Sequence, residues 1–194
     1  MEAYNLKDRV ALITGAGVGI GQAVALALAE HGAFIGIHYR TSVKEAEETL
    51  ASVRAKGSDG VLLPGDLTDE KQANGVVDAL VARAGRLDIL VNNAGSPVTR
   101  TKIEDCPLTV WQQVLDINLT GAFIVTKRAI PHLRASGHGA IVNNLSLSVQ
   151  TGGANGAGAY AVAKGGLQVL TRTLAKELAP QVRVNAIMPG VIET

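Results

Sequence analysis

Short aliphatic runs alternate with helical patterns along the whole 194-residue chain, and this alternation limits its possible folds more than any other feature. Runs such as VALI at 10–13 and DILV at 88–91 read as strands buried on both faces, the mark of a parallel sheet covered by helices. The patterns predict strands at 9–14, 34–39, 61–65, 87–92, 140–145 and 182–187. Between them they predict helices at 20–31, 42–56, 69–84, 108–135 and 159–179. The expected class is α/β, a doubly wound parallel sheet, and the length suits a single domain. Ligands of such sheets bind beyond the carboxyl ends of the strands, so candidate residues are sought there.

Composition narrows the function. The 22 glycines suit tight strand-to-helix turns, and a formal net charge of +1 leaves no electrostatic footprint for nucleic acid or an anionic membrane. The lone Cys106 excludes an intrachain disulfide and fits a reducing compartment. The opening MEAYNLKDRV lacks a basic-then-apolar leader pattern, and no apolar run is long enough to span a bilayer; a cytoplasmic protein is expected. His31, His38, His132 and His138 fall without metal-ligand spacing, so no metal site is expected.

The strand ends carry the chemistry. After the first strand comes TGAGVGIG, where Gly15, Gly17, Gly19 and Gly21 let a turn tighten and a pyrophosphate approach the backbone N–H groups near Ile20 at a helix N-terminus. No Gly-Lys-Ser/Thr follows, so this is not a P-loop. After the second strand, where many dinucleotide folds place an acid, stand Tyr39, Arg40, Thr41 and Ser42. A guanidinium with flanking hydroxyls matches a 2′-phosphate, so NADP(H) is favoured and NAD(H) remains possible. The third strand ends at Asp66-Leu67 and the fourth at Asn92-Asn93-Ala94-Gly95. Asn118 lies in an apolar helical row with Trp111, Val114 and Leu115, and a buried amide needs partners. The fifth strand leads through Ser146 and Ser148 to a flexible TGGANGAG. Beyond it Tyr160 stands four residues before Lys164, on one face of a helix. Ser, Tyr and Lys are thereby expected to converge above one edge of the sheet.

With these elements in this order, and with RVNAIMPGVIET at 183–194, the chain resembles the short-chain dehydrogenase/reductase family over nearly its whole length. The resemblance extends to 3-oxoacyl-carrier-protein reductases and sugar-alcohol dehydrogenases at family level. It implies a Rossmann-type sheet of order 3-2-1-4-5-6 and a catalytic tetrad of Asn118, Ser146, Tyr160 and Lys164. Tyr160 would be the general acid and base, its phenol brought toward working pH by the Lys164 ammonium and the nicotinamide charge. Ser146 would donate to the substrate oxygen, and Asn118 would order a water. The resemblance also implies cofactor contacts from Asp66, Leu67, Asn92, Ala94 and Gly95, and nicotinamide contacts around Pro189, Gly190, Ile192 and Thr194. The substrate would be a small carbonyl compound or secondary alcohol.

Three departures bear on this. Ser148 is the alternative to Ser146; Val18 stands where some NADP-dependent members carry a basic residue; and the family usually continues past PGVIET into a substrate-covering segment, which residues 1–194 lack. That last point motivates a second expectation, a catalytically weak nucleotide-binding or redox-sensing protein of the same fold. The resemblance further implies a homodimer or homotetramer built through the helices at 108–135 and 159–179, whose outer faces are expected to include Ile124, Val125, Val169 and Leu170.

Overall fold

The computed structural model describes residues 5–192. Six parallel strands form one sheet: β1 (Val10–Ile13), β2 (Phe34–Tyr39), β3 (Gly60–Pro64), β4 (Ile89–Asn92), β5 (Gly139–Asn144) and β6 (Val182–Ile187). They lie in the order β3-β2-β1-β4-β5-β6, so the crossover between β3 and β4 reverses direction beside β1. That reversal opens a crevice above the carboxyl ends of β1 and β4, the place where such sheets take ligands.

Strand alternation decides what each face of the sheet meets. On one side Ala11, Ile13, Ile35 and Ile37 pack against Ala25 and Ala29 of α1 (Gly19–Glu30) and Ala46 and Val53 of α2 (Val43–Ala55). On the other, Leu12, Leu90 and Ile141 pack against three helices. These are α3 (Glu70–Ala84) with Leu80, the helix ending at Ala135 with Val125 and Leu133, and the helix ending at Glu177 with Leu174. Nearly all of these side chains are fully buried, so both sheet faces contribute hydrophobic stabilisation, as their unbroken apolar runs require.

The segment expected as one helix at 108–135 is continuous but not uniform. It comprises α4 (Leu108–Leu115), a π-helical segment at Asp116–Thr120, and α5 (Gly121–Ala135). A short α6 (Ser148–Thr151) precedes α7 (Gly158–Glu177) and was not anticipated. Two residues expected on an outer face lie inside: Ile124 and Val125 are buried, because α5 is wedged between the sheet and α3 and buries a wide arc of its circumference. Phe123 of α5 and Val162 and Val169 of α7 are the exposed apolar residues there, while Leu170 is partly buried. Among the described residues no helix is long and apolar enough to cross a membrane.

Candidate active site

The crevice begins at the turn after β1. Thr14 leaves the strand and its hydroxyl accepts from the backbone N–H groups of Asn93 (2.9 Å) and Ala94 (3.0 Å), while the Asn93 amide donates to the carbonyls of Thr14 and Gly15. The ends of β1 and β4 are thus stapled together. Gly15 has φ +64°, and a Cβ there would lie 3.1 Å from the Ala94 Cα, so the turn needs a residue without a side chain on both counts. The chain then enters α1, whose N-terminus has neither a side-chain cap nor an acid in its first turn. In contrast, α3 begins at an Asp69 carboxylate that accepts from Gln72 N at 2.8 Å. The first-turn N–H groups of α1 therefore face the crevice with no side-chain partner, which suits an anionic group there.

Across the crevice, α7 presents Tyr160 and Lys164 one turn apart. Lys164 is 2% exposed, and its Nζ donates to the Asn144 carbonyl at 2.7 Å. Burial pulls its ammonium from 10.5 down to about 8. Tyr160 is half-buried, and the Ser146 side chain lies beside its phenol. Burial pushes the phenol above its ordinary value, and Ser146 opposes this by favouring the ionised form. The protein's own groups thus raise this phenol instead of lowering it as expected. The physical reason is that the Lys164 Nζ turns to a backbone carbonyl, 5.7 Å from the Tyr160 ring centroid. Of the two serines, Ser146 meets the phenol; Ser148 starts α6 and its hydroxyl is buried without a partner.

Asn118 sits in the π-helical segment, 1% exposed. Its amide donates to the carbonyls of Ser96 (2.6 Å) and Val114 (2.9 Å), and its oxygen accepts from Ser96 N at 3.0 Å. Both amide protons are committed, so the carboxamide clamps the loop after β4 and has no proton left for a water. The clamp holds Gly95 where a Cβ would come within 2.6 Å of the Asn118 oxygen and 3.1 Å of the Lys164 Nζ. Only glycine leaves the lysine reachable from the crevice.

The crevice has a volume of about 630 Å³. Of the residues expected from sequence, Gly15, Gly19, Ile20, Arg40, Asp66, Leu67, Ala94, Gly95, Tyr160 and Lys164 line it. Others stand behind the wall. Gly17 and Gly21 are packing positions, where a Cβ would meet the Ser42 hydroxyl and the Gly15 carbonyl. Tyr39 packs on the apolar cluster of β1 and β2, and Thr41 is an exposed residue leading into α2. Asn92 is a correction: its side chain is 3% exposed and donates to Thr126 and Asn143 in the core, because strand alternation turns it under the sheet and its neighbour Asn93 toward the crevice. Pro189 is tied through its carbonyl to Leu147 N at 2.9 Å, while Gly190 and Ile192 are exposed; Thr194 lies outside the described residues.

Sequence reasoning missed Asn93, Asn144 and His38. Two carbonyls fix the orientation of the Asn93 amide, so its oxygen must accept from Asn144 Nδ2 (2.9 Å). A hydrogen-bonded path therefore runs from the glycine turn through Asn93 and Asn144 to Lys164. The signal for Asn144 was available as a polar residue interrupting an apolar strand. Arg40, exposed at the rim, pairs with Asp66 at 3.6 Å, and Thr68 holds that carboxylate through its N–H and hydroxyl, which keeps it below the usual carboxylate range.

Comparison with known proteins agrees with this arrangement. Residues 9–194 match the model of the short chain dehydrogenase family. A cis-4-hydroxycyclohexanecarboxylate dehydrogenase of Sinomonas cyclohexanicum is 37% identical over 188 residues, covering 96% of this chain and 74% of that protein. A 3-oxoacyl-acyl-carrier-protein reductase of Synechocystis is 37% identical over 194 residues, covering 97% and 76%. The structure of an NAD⁺-bound xylitol dehydrogenase superposes with a TM-score of 0.91 at 40% identity, covering 97% and 72%. The chain belongs to the short-chain dehydrogenase/reductase family, a class of oxidoreductases that transfer hydride with nicotinamide nucleotides and act on small molecules.

Proposed function

We propose that the protein interconverts a small carbonyl compound and its secondary alcohol, with NADP(H) favoured as cofactor and Tyr160 as the group that exchanges the proton. The observation that carries this reading is that Tyr160 and the buried Lys164 line the crevice one helical turn apart, with Ser146 beside the phenol. A bound nicotinamide nucleotide supplies or removes the hydride. Its residues here would be the α1 N-terminus for phosphates, approached past the side-chain-free Gly15, Arg40 for a 2′-phosphate, and Lys164 for ribose hydroxyls.

Reduction of a ketone needs a proton for the developing alkoxide, and a phenol held in its neutral form is a ready donor. Tyr160 gives its hydroxyl proton to the substrate oxygen while Ser146 donates a second hydrogen bond to the same atom. Lys164, charged below about pH 8, would hold the ribose hydroxyls next to the phenol and keep a positive charge on that side of the crevice. Asn118 acts through position, clamping Ser96 so that Gly95, which has no side chain, passes beside the lysine without covering it. Arg40 supports the cofactor preference because its present partner, Asp66, is a half-exposed contact that a phosphate can replace.

The test is oxidation of NADPH and NADH, followed at 340 nm, with a panel of ketones, quinones and 3-oxoacyl thioesters. Turnover with one class, and tighter binding of NADPH than NADH, is expected. Equal dissociation constants for the two cofactors would remove the NADP(H) preference; no turnover with any substrate would remove the catalytic reading. We also propose self-association through the exposed Phe123, Val162 and Val169 of α5 and α7, checked by light scattering.

A further inference from the structure

The catalytic reading leaves His38 without a role, yet it is buried, at 3% exposure, directly against the glycine turn. Its ring bridges two backbone segments far apart in sequence. The Nδ1 atom accepts from the Gly15 N–H at 3.1 Å, and Nε2 lies 3.0 Å from the Gly65 carbonyl. Gly15 offers only a proton and Gly65 only lone pairs, so the ring is complementary in a single state: neutral, with its proton on Nε2. An imidazolium would set one N–H against another. The backbone reinforces the bridge, with Ala16 N donating to the His38 carbonyl at 2.8 Å and Gly65 N to the Tyr39 carbonyl at 3.1 Å.

Resting on the nucleotide-site reading above, we infer that His38 is a positioning residue: it fixes the Gly15 amide, thereby aims the open N–H groups of α1 at the cofactor's phosphates, and releases them when it is protonated. The charged groups around it are few. Asp66 follows Gly65 and favours the charged ring, and Arg40, two residues beyond His38, is paired with that carboxylate. The glycine turn, the first turn of α1 and residues 93–96 bring only uncharged side chains. Burial outweighs the pull of the Gly65 carbonyl and Asp66 and holds the imidazole below its ordinary 6.5. Release is therefore an acid-side event that begins below that value.

The experiment measures the NADPH dissociation constant by fluorescence titration from pH 8 to pH 5, for the unmodified protein, His38→Asn and His38→Leu. Nitrogen NMR of the His38 ring gives its tautomer near neutral pH without any cofactor. His38→Leu strands the Gly15 N–H, and should weaken NADPH binding by about tenfold or more at every pH. His38→Asn, which keeps a neutral acceptor, should stay within about threefold at pH 8 and lose the acid-side weakening specific to the histidine. Comparison of these profiles subtracts the titration of the 2′-phosphate itself, whose second pKa is about 6. Binding that His38→Leu leaves unchanged, an acid-side profile identical in His38→Asn, or a ring protonated on Nδ1 each overturns the proposal alone. Failure of the unmodified protein to bind either NADPH or NADH overturns the nucleotide-site reading and this inference with it. Should His38→Leu not fold, the Asn profile and the tautomer still decide.

Discussion

The two ends of the sheet bury charge in opposite ways. At the amino ends of the strands, Asp88 is fully buried, and its carboxylate accepts from Arg86 (2.8 and 2.6 Å), Arg9 (3.3 Å) and the Val10 N–H (3.0 Å). Burial alone would raise its pKa, but these partners hold it below the usual carboxylate range. At the carboxyl ends, Lys164 is buried almost as deeply with a single backbone carbonyl to receive its protons, and its pKa falls to about 8. The side-chain oxygens of Asn92 and Asn144 at that end are also buried without partners. A buried charge with a complete shell holds strands in place; one with an incomplete shell is unfavourable unless something else completes it. The incompleteness is the mark of a working end, and the fold tolerates it because the other end is fully satisfied.

The largest test of this contrast is chemical. Tyr160→Phe keeps the ring and removes the proton, so turnover should fall by roughly two to four orders of magnitude while NADPH affinity and melting temperature change little. Steady-state kinetics beside a cofactor titration would show it, and near-normal turnover would assign the proton to another group.

Next in size is the satisfied end. Asp88→Ala removes the shared acceptor of two arginines and a backbone N–H, and should destabilise the fold by about 3 kcal/mol in denaturant titration. Activity per folded molecule should hold. The Asp88 contribution is present above the unfolded carboxylate value and is lost as pH falls through the lower folded value, so the variant should gain on its parent in strong acid.

Lys164→Met should do the reverse. A fall from 10.5 to about 8 amounts to about 3 kcal/mol of unfavourable burial, and removal of the charge should raise stability at pH 7 by that much, less the lost Asn144 contact. The penalty is complete below about pH 8 and fades as pH rises toward 10.5, because the unfolded chain then also sheds its proton. Melting curves at pH 7 and pH 9.5 should therefore converge while turnover collapses at both. A variant less stable than its parent at pH 7 would mean that Lys164 is structurally satisfied after all.

Arg40→Asp is the mildest change. Its ion pair with Asp66 is exposed, so stability should not move, but repulsion in place of a phosphate contact should shift the NADPH to NADH preference by about tenfold to a hundredfold. Dissociation constants for both nucleotides measure it.

Local chemistry in the chain was enough for part of this. Apolar runs such as VALI, alternating with helical patterns, read as strands covered on both faces. Within a helical pattern a tyrosine and a lysine four residues apart share a face, and a glycine-rich run between strand and helix reads as a tight turn. Tertiary structure decided the rest, wherever the answer depended on a partner distant in sequence or on one residue of register. Asn92 and Asn93 look alike in the chain, yet the alternation of β4 sends one into the core and the other to the crevice. Ile124 and Val125 look available on a helix until α3 and the sheet enclose it. His38 has no local signal at all, because its meaning comes from Gly15 and Gly65, which reach it only when three strands lie side by side. For Lys164, the spacing to Tyr160 was legible, but its lack of a countercharge was not, since a charge is unpaired only with respect to everything the folded chain brings near it.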